Sequence, residues 1–372
     1  MAKIAVLGAN YQYSTFYRQA VEVGGHEIIA FGRQEDDHIA ADRYASKFYP
    51  ISFTEKEKIL EVCKNEGVEG VTSFLIESAL PYVYYIMRGL GLPCNSPECE
   101  RLTADKYTMR EQLRKESVSI PQYEIVRSPK DHIDIPLPVI IKPSDSGGSR
   151  GITLVHSMTE VSSAIDRALE WSPSKTVLVE QYIAGREFSI EGISYGGKHH
   201  ILQVTDKVTT GSPYFVELAH HQPAALSPEQ RNSIEELTLS MLDALKIEYG
   251  ASHTEIRFDA KDKPYVIEMG ARMGGGFISS DLVRLSTGYD FVNGTVEVST
   301  GKFTEPVVEP IAYSGVYLLC EETKAKVLPY ITHASEHPEV VDADIWGKIQ
   351  TVKCNSDRGG YFIYQSDHKL EL

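Results

Sequence analysis

Residues His253–Gly276 read HTEIRFDAKDKPYVIEMGARMGGG. From His253 to Ala260 charged and apolar residues alternate strictly, which is the period of a half-buried β-strand. A second strand, Tyr265 to Met269, follows the turn-forming residues 260–264. The pattern therefore predicts a β-hairpin that has one charged face.

Two glutamates are predicted to face each other across this hairpin. If it closes over Lys261 and Asp262, then Glu255 lies opposite Glu268. Like charges directly opposite in a ladder are destabilising, and a divalent cation such as Mg²⁺ would stabilise them because it takes carboxylate oxygens beside substrate phosphates. The alternative is an exposed face on which both glutamates are solvated and Arg257 neutralises them. The hairpin alone leaves both interpretations open.

Length and composition describe an ordinary soluble protein with an acidic balance. The 372 residues suffice for two or three domains, and 42% hydrophobic and 24% charged residues are typical of globular chains. The formal net charge of -15 argues against nonspecific binding to nucleic acid or to an anionic membrane. An anionic ligand therefore needs a local basic site.

Targeting and redox signals are few. A secretory signal is not predicted, because no apolar core follows the basic start, and no stretch approaches the roughly 18 apolar residues of a membrane span. The five cysteines are scattered, and they predict neither a zinc site nor a disulfide. The expected location is the cytoplasm.

The N-terminal part of the chain has the pattern of an α/β fold. Lys3–Gly8 is predicted as a buried strand, followed by a helix to Val23 and a second strand, His26–Phe31. Further strands and helices alternate, which predicts an open parallel sheet over roughly the first 95 residues. Only Gly8 of a dinucleotide-binding glycine pattern is present, so this domain is expected to be a scaffold that contributes a wall to a substrate pocket.

A loop of small residues follows a short strand in Leu137–Gly151, LPVIIKPSDSGGSRG. Glycine and serine let backbone N–H groups approach phosphate oxygens, and Lys142 supplies a positive charge. In a Walker loop the lysine comes after the glycines, whereas here it precedes them. A flexible hairpin loop with an exposed lysine is the alternative.

Later segments are predicted mainly as strands and one long helix. A strand at Thr176–Val179 leads into a linker that can present backbone groups to a purine, with carboxylates placed for ribose hydroxyls. Residues 201–225 are expected to be rich in loops, with His220 and His221 at the surface. An amphipathic helix is predicted from Ser227 to Lys246 with a capping box, and strands after residue 307 predict a β-rich C-terminal lobe.

Taken in order, these features resemble the ATP-grasp superfamily of ligases over nearly the whole chain. The features are Lys106 in the helical run 97–116, the Lys142–Gly151 segment, Glu180–Ile183, Glu187, and the Glu255/Glu268 pair followed by Arg272. HTEIRFD followed by IEMGARMGGG is most similar to carboxylate–amine ligases of the L-amino acid ligase (dipeptide synthetase) type. The resemblance implies a Rossmann-like domain (residues 1–96), a lid lobe with connecting helices (97–185), and a large lobe with a β-rich extension (186–372), the two lobes having antiparallel sheets.

The resemblance also implies a role for each matching residue. ATP would be bound by Lys106, Lys142, Ser146, Gly147, Gly148, Gly151, Glu180, Ile183 and Glu187. Glu255 and Glu268 would bind Mg²⁺ or Mn²⁺, Lys142 and Arg272 would be catalytic, and Arg272 with Gly274, Gly275 and Gly276 would contact the substrate. Many members have Asn two residues after the second metal-binding Glu, whereas this chain has Gly270. The number of bound metal ions is therefore left open.

The implied reaction is the ATP-dependent joining of a carboxylic acid, expected to be an amino acid, to an amine through an acyl phosphate. Its partners would be small molecules, with no nucleic acid or membrane, and a homodimer is an allowed assembly. A carboxylating enzyme related to biotin carboxylase, a purine-pathway enzyme that uses formate or bicarbonate, and a nucleotide-binding protein without turnover are the alternatives.

Overall fold

The computed structural model describes residues 1–147 and 150–372, and the first of its three sheets is parallel. Ala5 and Leu7 pack in one core cluster and Ile4 and Val6 in another, so this sheet is buried on both faces, as parallel sheets require. The predicted open parallel sheet is confirmed. Its strands, in the order β3-β2-β1-β4, are β1 Lys3–Leu7, β2 Glu27–Phe31, β3 Lys47–Tyr49 and β4 Gly70–Thr72. Its helices are α1 Ser14–Arg18, α2 Ile39–Tyr44, α3 Lys56–Glu66 and α4 Leu80–Leu90, with single turns at Tyr11–Tyr13, Gln19–Val23 and Glu77–Ala79.

Two short helices connect this sheet to the next, α5 Pro97–Leu102 and α6 Lys106–Lys115. A single helical run was expected over residues 97–116 with Lys106 in its middle, and that expectation is wrong. The Asp105 side chain accepts a hydrogen bond from the Thr108 amide at 2.9 Å and so caps a new helix. Lys106 is therefore the first residue of α6, and its side chain contacts Ser146 in the loop after Lys142.

The second sheet is small and antiparallel, and it carries the Lys142 strand. Helix α7, Met158–Trp171, covers one face of this sheet and begins with a capping box between Ser157 and Glu160. The strands, in the order β5-β8-β6-β7, are β5 Tyr123–Val126, β6 Val139–Pro143, β7 Thr153–Val155 and β8 Val177–Gln181.

The third sheet has eight antiparallel strands in the order β13-β12-β9-β10-β11-β14-β16-β15. The strands are β9 Glu187–Tyr195, β10 Lys198–Thr209, β11 Glu217–Gln222, β12 Gly250–Phe258, β13 Pro264–Gly270, β14 Tyr313–Leu319, β15 Val340–Ile345 and β16 Gly360–Ser366. The helices are α8 Pro228–Ala244, α9 Val283–Thr287, α10 Phe291–Thr300 and α11 Lys324–Thr332, with single turns at Ile278–Leu282, Ala334–Glu336 and Asn355–Asp357. The predicted capping box of α8 and the β-rich C-terminal lobe are confirmed.

The expectation of a loop-rich segment at residues 201–225 is wrong, because β10 and β11 occupy most of it and pair with each other. His220 and His221 were expected at the surface but are 0% and 2% exposed. Their strand lies inside the sheet between β10 and β14, and the His221 ring packs against Tyr317 and Tyr364.

The β12–β13 hairpin lies at one end of this sheet, and it pairs Glu255 with Glu268 as predicted. The turn differs from the expected one. The Asp259 amide donates to the Lys263 carbonyl at 3.0 Å, so a five-residue loop closes the hairpin. A bulge between Glu255 and Ile256 then shifts the register by one residue and brings the two glutamates opposite each other.

All five cysteines are free thiols. Among the helices of the described residues, none combines the length and the apolar character needed to cross a membrane.

Candidate active site

A cavity of about 710 Å³ is lined by residues from the loops of the parallel sheet and from the second and third sheets. Among the described residues, six lysine or arginine side chains and five carboxylates line it. The cations are Lys106, Lys142, Lys207, Arg257, Arg272 and Arg358, and the carboxylates are Glu180, Glu187, Glu217, Glu255 and Glu268. The chain therefore has the local basic site that an anionic ligand needs, in spite of its net charge of -15.

Lys142 lies in a buried chain of charges. Its Nζ is 2.6 Å from Glu180 Oε2, and Arg110 Nε is 2.6 Å from Glu180 Oε1. Burial lowers the pKa of Lys142 and the charge of Glu180 opposes that effect. Burial raises the pKa of Glu180, but Arg110 and Lys142 together outweigh it, so the net shift is downward. Lys142 is only 4% exposed, so the alternative of an exposed lysine at a strand end is wrong.

Lys106 connects the loop after Lys142 to the second glutamate strand. Its Nζ lies 3.0 Å from Glu268 Oε1 and donates to the Ser146 carbonyl at 3.0 Å. Burial lowers the pKa of Lys106, but the charge of Glu268 outweighs it and the pKa is raised. The ammonium is thus held at the point where the loop meets strand β13.

Lys207 compensates the other glutamate. Its Nζ lies 2.7 Å from both Glu255 Oε1 and Glu187 Oε1, and 3.4 Å from Glu217 Oε1. Burial lowers the pKa of this ammonium, but the three carboxylates outweigh burial and raise it well above the ordinary value. Burial likewise raises the pKa of Glu255, and Lys207 with His253 more than reverses that shift. Glu255 is therefore a carboxylate near neutral pH.

The donor set around the paired glutamates fits one kind of cation. The described residues contain no group of three or more His, Cys, Asp and Glu side chains that could hold a metal alone. Mg²⁺ does not need such a cage, because it is usually held by one or two carboxylates and completes its shell with water and substrate phosphates. Glu255 and Glu268 line the cavity from directly opposite positions. They fit a Mg²⁺ or Mn²⁺ ion that arrives with a polyphosphate.

The glycine loop after Arg272 rests on a buried hydrogen-bond network. Glu191 is fully buried and lies 2.5 Å from His253 Nδ1 through Oε1, and Ser279 Oγ hydrogen-bonds to its Oε2. The Gly274 amide donates to Ser279 Oγ at 2.6 Å. A Cβ at Gly274 would lie 2.5 Å from His253 Nδ1. Gly274 is therefore needed for close packing against this network, and it does not line the cavity.

The other two glycines of the loop line the cavity in different ways. Gly276 has φ of +60°, and a Cβ there would lie 2.9 Å from His220 Nε2. At Gly275, within the described part of the chain, a Cβ would meet no heavy atom within 4 Å. Gly275 is thus the position at which an added side chain would enter open space.

Most of the residues expected to bind ATP, the metal ion or the substrate line this one cavity. They are Lys106, Lys142, Ser146, Gly147, Glu180, Ile183, Glu187, Glu255, Glu268, Arg272, Gly275 and Gly276. Gly148 lies outside the described residues. Gly151 does not line the cavity, because it packs against α7, where a Cβ would lie 2.9 Å from Trp171.

From the sequence, no role was assigned to several charged residues in or beside this cavity, among them Lys207, Glu217 and Arg110. Lys207 and Glu217 were placed in the expected loop, and Arg110 was unremarked within a helical run. The only local signal for Lys207 is the strand period that it shares with Gln203 and Thr205, which are also buried. Two of its three carboxylate partners, Glu187 and Glu255, lie outside residues 201–225, and their convergence on Lys207 could not be identified from this segment.

Comparisons with known proteins agree with this geometry. The ATP-grasp domain family matches residues 135–281. The curated relative "Uncharacterized protein y4rH" of Sinorhizobium fredii is 27% identical over 255 residues, which are 64% of this chain and 50% of the relative. The chain thus matches about half the length of that protein.

Three solved structures have similar folds over 99% of this chain. L-amino acid ligase from Bacillus licheniformis has a TM-score of 0.83 at 23% identity, over 94% of its chain. Phosphoribosylglycinamide synthetase from Anaerococcus prevotii has a TM-score of 0.77 at 17% identity, also over 94% of its chain. The biotin carboxylase domain of Hydrogenobacter thermophilus 2-oxoglutarate carboxylase, in complex with MgADP, ADP and bicarbonate, has a TM-score of 0.74 at 18% identity over 87% of its chain.

The mixed fold, with one parallel and two antiparallel sheets, is that of these enzymes. Residues 135–281 thus match the ATP-grasp domain family, and the chain has a fold similar to that of the L-amino acid ligase and the two other enzymes.

Proposed function

We propose that this protein joins a carboxylic acid, expected to be an amino acid, to an amine at the expense of ATP, with release of ADP and phosphate. The observation that carries the proposal is the facing pair Glu255/Glu268, which lies in one cavity with the Lys142 loop and Arg272. We also propose that the chain divides into units of residues 1–96, 97–185 and 186–372.

The proposed chemistry follows from the problem of making an amide in water. A carboxylate is a poor electrophile, and transfer of the γ-phosphoryl group gives an acyl phosphate that an amine can attack. Lys106, Lys142 and Lys207 would bind the phosphates and neutralise their charge. Mg²⁺ or Mn²⁺ held by Glu255 and Glu268 would supply further charge neutralisation and orient the terminal phosphate.

The nucleotide would lie against strand β8 and the linker after it. Backbone groups of Glu180 and Ile183 would hold the adenine, and Glu187 would accept from the ribose hydroxyls. Arg257 Nε lies 3.0 Å from Glu187 Oε2, and Arg257 donates to the Ile183 carbonyl at 3.0 Å. It therefore connects Glu187, the proposed ribose-binding residue, to the linker proposed to hold the adenine. Ser146, Gly147, Gly148 and Gly151 belong to the loop that would close over the phosphates.

The reacting carboxylate would lie at the other end of the cavity, beside Arg272 and the glycine loop. Arg272 Nη1 donates a hydrogen bond to the Met273 carbonyl at 2.9 Å, and this bond fixes the orientation of the guanidinium. Its charge would steady the transferred phosphoryl group or the acid. Positioning and electrostatic stabilisation would supply most of the acceleration.

A screen of amino acids, singly and in pairs, for ATP-dependent phosphate release tests this proposal. We expect release with at least one pair and none with Glu268→Gln, while the exposed Glu309→Gln variant behaves as the parent. Turnover that requires bicarbonate would favour a carboxylating enzyme, and turnover that requires a phosphoribosyl substrate would favour a purine-pathway enzyme. Magnesium-dependent ATP binding without turnover under every mixture would favour a nucleotide-binding protein and contradict the proposal.

A further inference from the structure

Three aromatic rings form a continuous stack along the cavity wall, and we call them the aromatic wall: Phe277, Tyr361 and Trp346. The Phe277 and Tyr361 ring centroids are 4.2 Å apart with an interplanar angle of 25°. The Tyr361 and Trp346 centroids are 5.3 Å apart with an angle of 38°. Tyr361, the middle ring, is 7% exposed, Phe277 is half-buried and Trp346 is 41% exposed, so the two end rings of the stack are the accessible ones.

Hydrogen bonds outside the cavity hold this wall in place. Trp346 Nε1 donates to the Arg358 carbonyl at 2.9 Å, and the Trp346 amide donates to the Gly359 carbonyl at 3.0 Å. The Tyr361 hydroxyl donates to Asp342 Oδ2 at 2.8 Å. The polar atoms of the rings are thus used elsewhere, and the rings present apolar surface to the cavity.

The Phe277 end of the aromatic wall adjoins the proposed reaction centre. Phe277 directly follows Gly276 of the glycine loop and adopts φ of +66°. A positive φ is costly for a bulky residue and persists where the surrounding structure holds it. Here it turns the ring onto Tyr361. A group that extends from the site near Arg272 would therefore pass along the aromatic wall.

Resting on the function proposed above, we propose that the aromatic wall is the subsite for a flat, apolar side chain of one of the two substrates, such as that of phenylalanine. A ring gains offset or edge contacts against a stack, which an aliphatic chain of similar size does not. A cationic side chain is disfavoured, because the nearby Glu217 is already paired with Lys207 at 3.4 Å and with Arg358 at 3.4 Å. The charge of that carboxylate is thus already compensated by two cations.

The two tryptophans of the chain allow this subsite to be observed without activity. They are Trp346 in the wall and Trp171 at the end of α7. In a Trp171→Phe variant, Trp346 is the only indole, and its fluorescence reports what lies against the wall. We expect phenylalanine and tyrosine, with magnesium and ADP present, to change this emission saturably, and alanine, lysine and arginine to leave it unchanged. Equal changes with all five amino acids, or none with any, would overturn the proposal.

Kinetics provides the second arm. Trp346→Ala should raise the KM for an aromatic substrate about 3- to 10-fold, the value of one aromatic contact, and leave the KM for ATP and for alanine within about twofold. Trp346→Phe should restore most of the loss, and Trp171→Ala, whose ring lies on α7 beside Gly151, should leave the ratio of the KM for phenylalanine to the KM for alanine unchanged. An equal rise for alanine and phenylalanine would contradict a side-chain subsite.

Further arms separate the sources of the side chain and the two proposals. With hydroxylamine in place of the amine, persistence of the Trp346→Ala effect assigns the ring to the acid, and its disappearance assigns the ring to the amine; either result supports the subsite. Saturable fluorescence without any ATP turnover would contradict the ligase proposal and support the subsite. Turnover with small amino acids and neither fluorescence change nor turnover with aromatic ones would overturn the subsite and support the ligase.

Discussion

Replacement of Lys142 tests its buried ion pair with Glu180 and its proposed contact with an ATP phosphate. Lys142→Met keeps the length of the side chain and removes the ammonium. A lost hydrogen bond to a charged group costs about 1.5–3 kcal/mol, and breaking a buried ion pair costs about 3–5 kcal/mol. Glu180 keeps Arg110 at 2.6 Å, so we expect the lower end, a loss of about 2 kcal/mol in the free energy of unfolding. An exposed lysine would give almost no loss.

The assay combines urea unfolding with ATP-binding calorimetry. The double variant Lys142→Met/Glu180→Gln leaves the buried Arg110 without its carboxylate partner and should lose further stability, while ATP binding stays weak. The exposed Lys130→Met variant is the matched control and should equal the parent in both measurements. Parental stability and parental ATP affinity in Lys142→Met would refute the argument for a buried, phosphate-binding lysine.

Four further predictions follow from particular contacts. Glu268→Gln should shift the magnesium titration of ATP turnover to higher concentrations and lower the maximal rate, and an unchanged titration would mean that the glutamates do not bind the metal. Gly275→Val should leave ATP affinity within about twofold and lower the rate of acyl transfer about tenfold or more, because the valine side chain enters open cavity space. Gly274→Ala should in addition lower the thermal stability of the protein, because its Cβ would meet His253. Similar behaviour of the two variants would contradict this distinction. Arg110→Met should raise the KM for ATP although Arg110 does not line the described cavity, because Arg110 holds Glu180, and Arg110→Lys should restore part of the affinity; a parental KM in Arg110→Met would contradict it. Burial lowers the pKa of His221 to about 3, so below about pH 6.5 the unfolded state binds a proton that the folded state does not. The free energy of unfolding should therefore fall by up to about 1.4 kcal/mol per pH unit as the pH is lowered from 6.5 toward 3. His221→Gln should make this pH dependence less steep in acid unfolding, and an equally steep dependence would count against the argument.

Local patterns in the sequence sufficed for the elements of the hairpin and for much of the site. The strict alternation around Glu255 predicts a strand, and the turn residues after it predict a hairpin, so the pairing with Glu268 followed. The prediction of the turn was wrong, because a bulge after Glu255 together with a longer loop gives the same Glu255–Glu268 pairing. Two compensating shifts of register leave no trace in the alternation.

The rest of the site depends on contacts between distant segments. Lys207 is buried because Glu187, Glu217 and Glu255 converge on it from three other strands. The segment of residues 201–225 around Lys207 contains only Glu217 of these partners, and Gly211 with Pro213 favours a loop there. The buried position of Lys142 has the same origin, since Glu180 and Arg110 come from another strand and from a helix.

The central claim is that a carboxylate is activated by phosphoryl transfer in this cavity. The most direct measurement is ATP consumption with hydroxylamine in place of the amine, in which nucleotide products and hydroxamate are quantified together. The account predicts hydroxamate that depends on ATP, magnesium and the correct acid, with ADP and phosphate formed in equal amounts. AMP as the stoichiometric product, or ATP consumption stimulated by an acid without any hydroxamate, would contradict it.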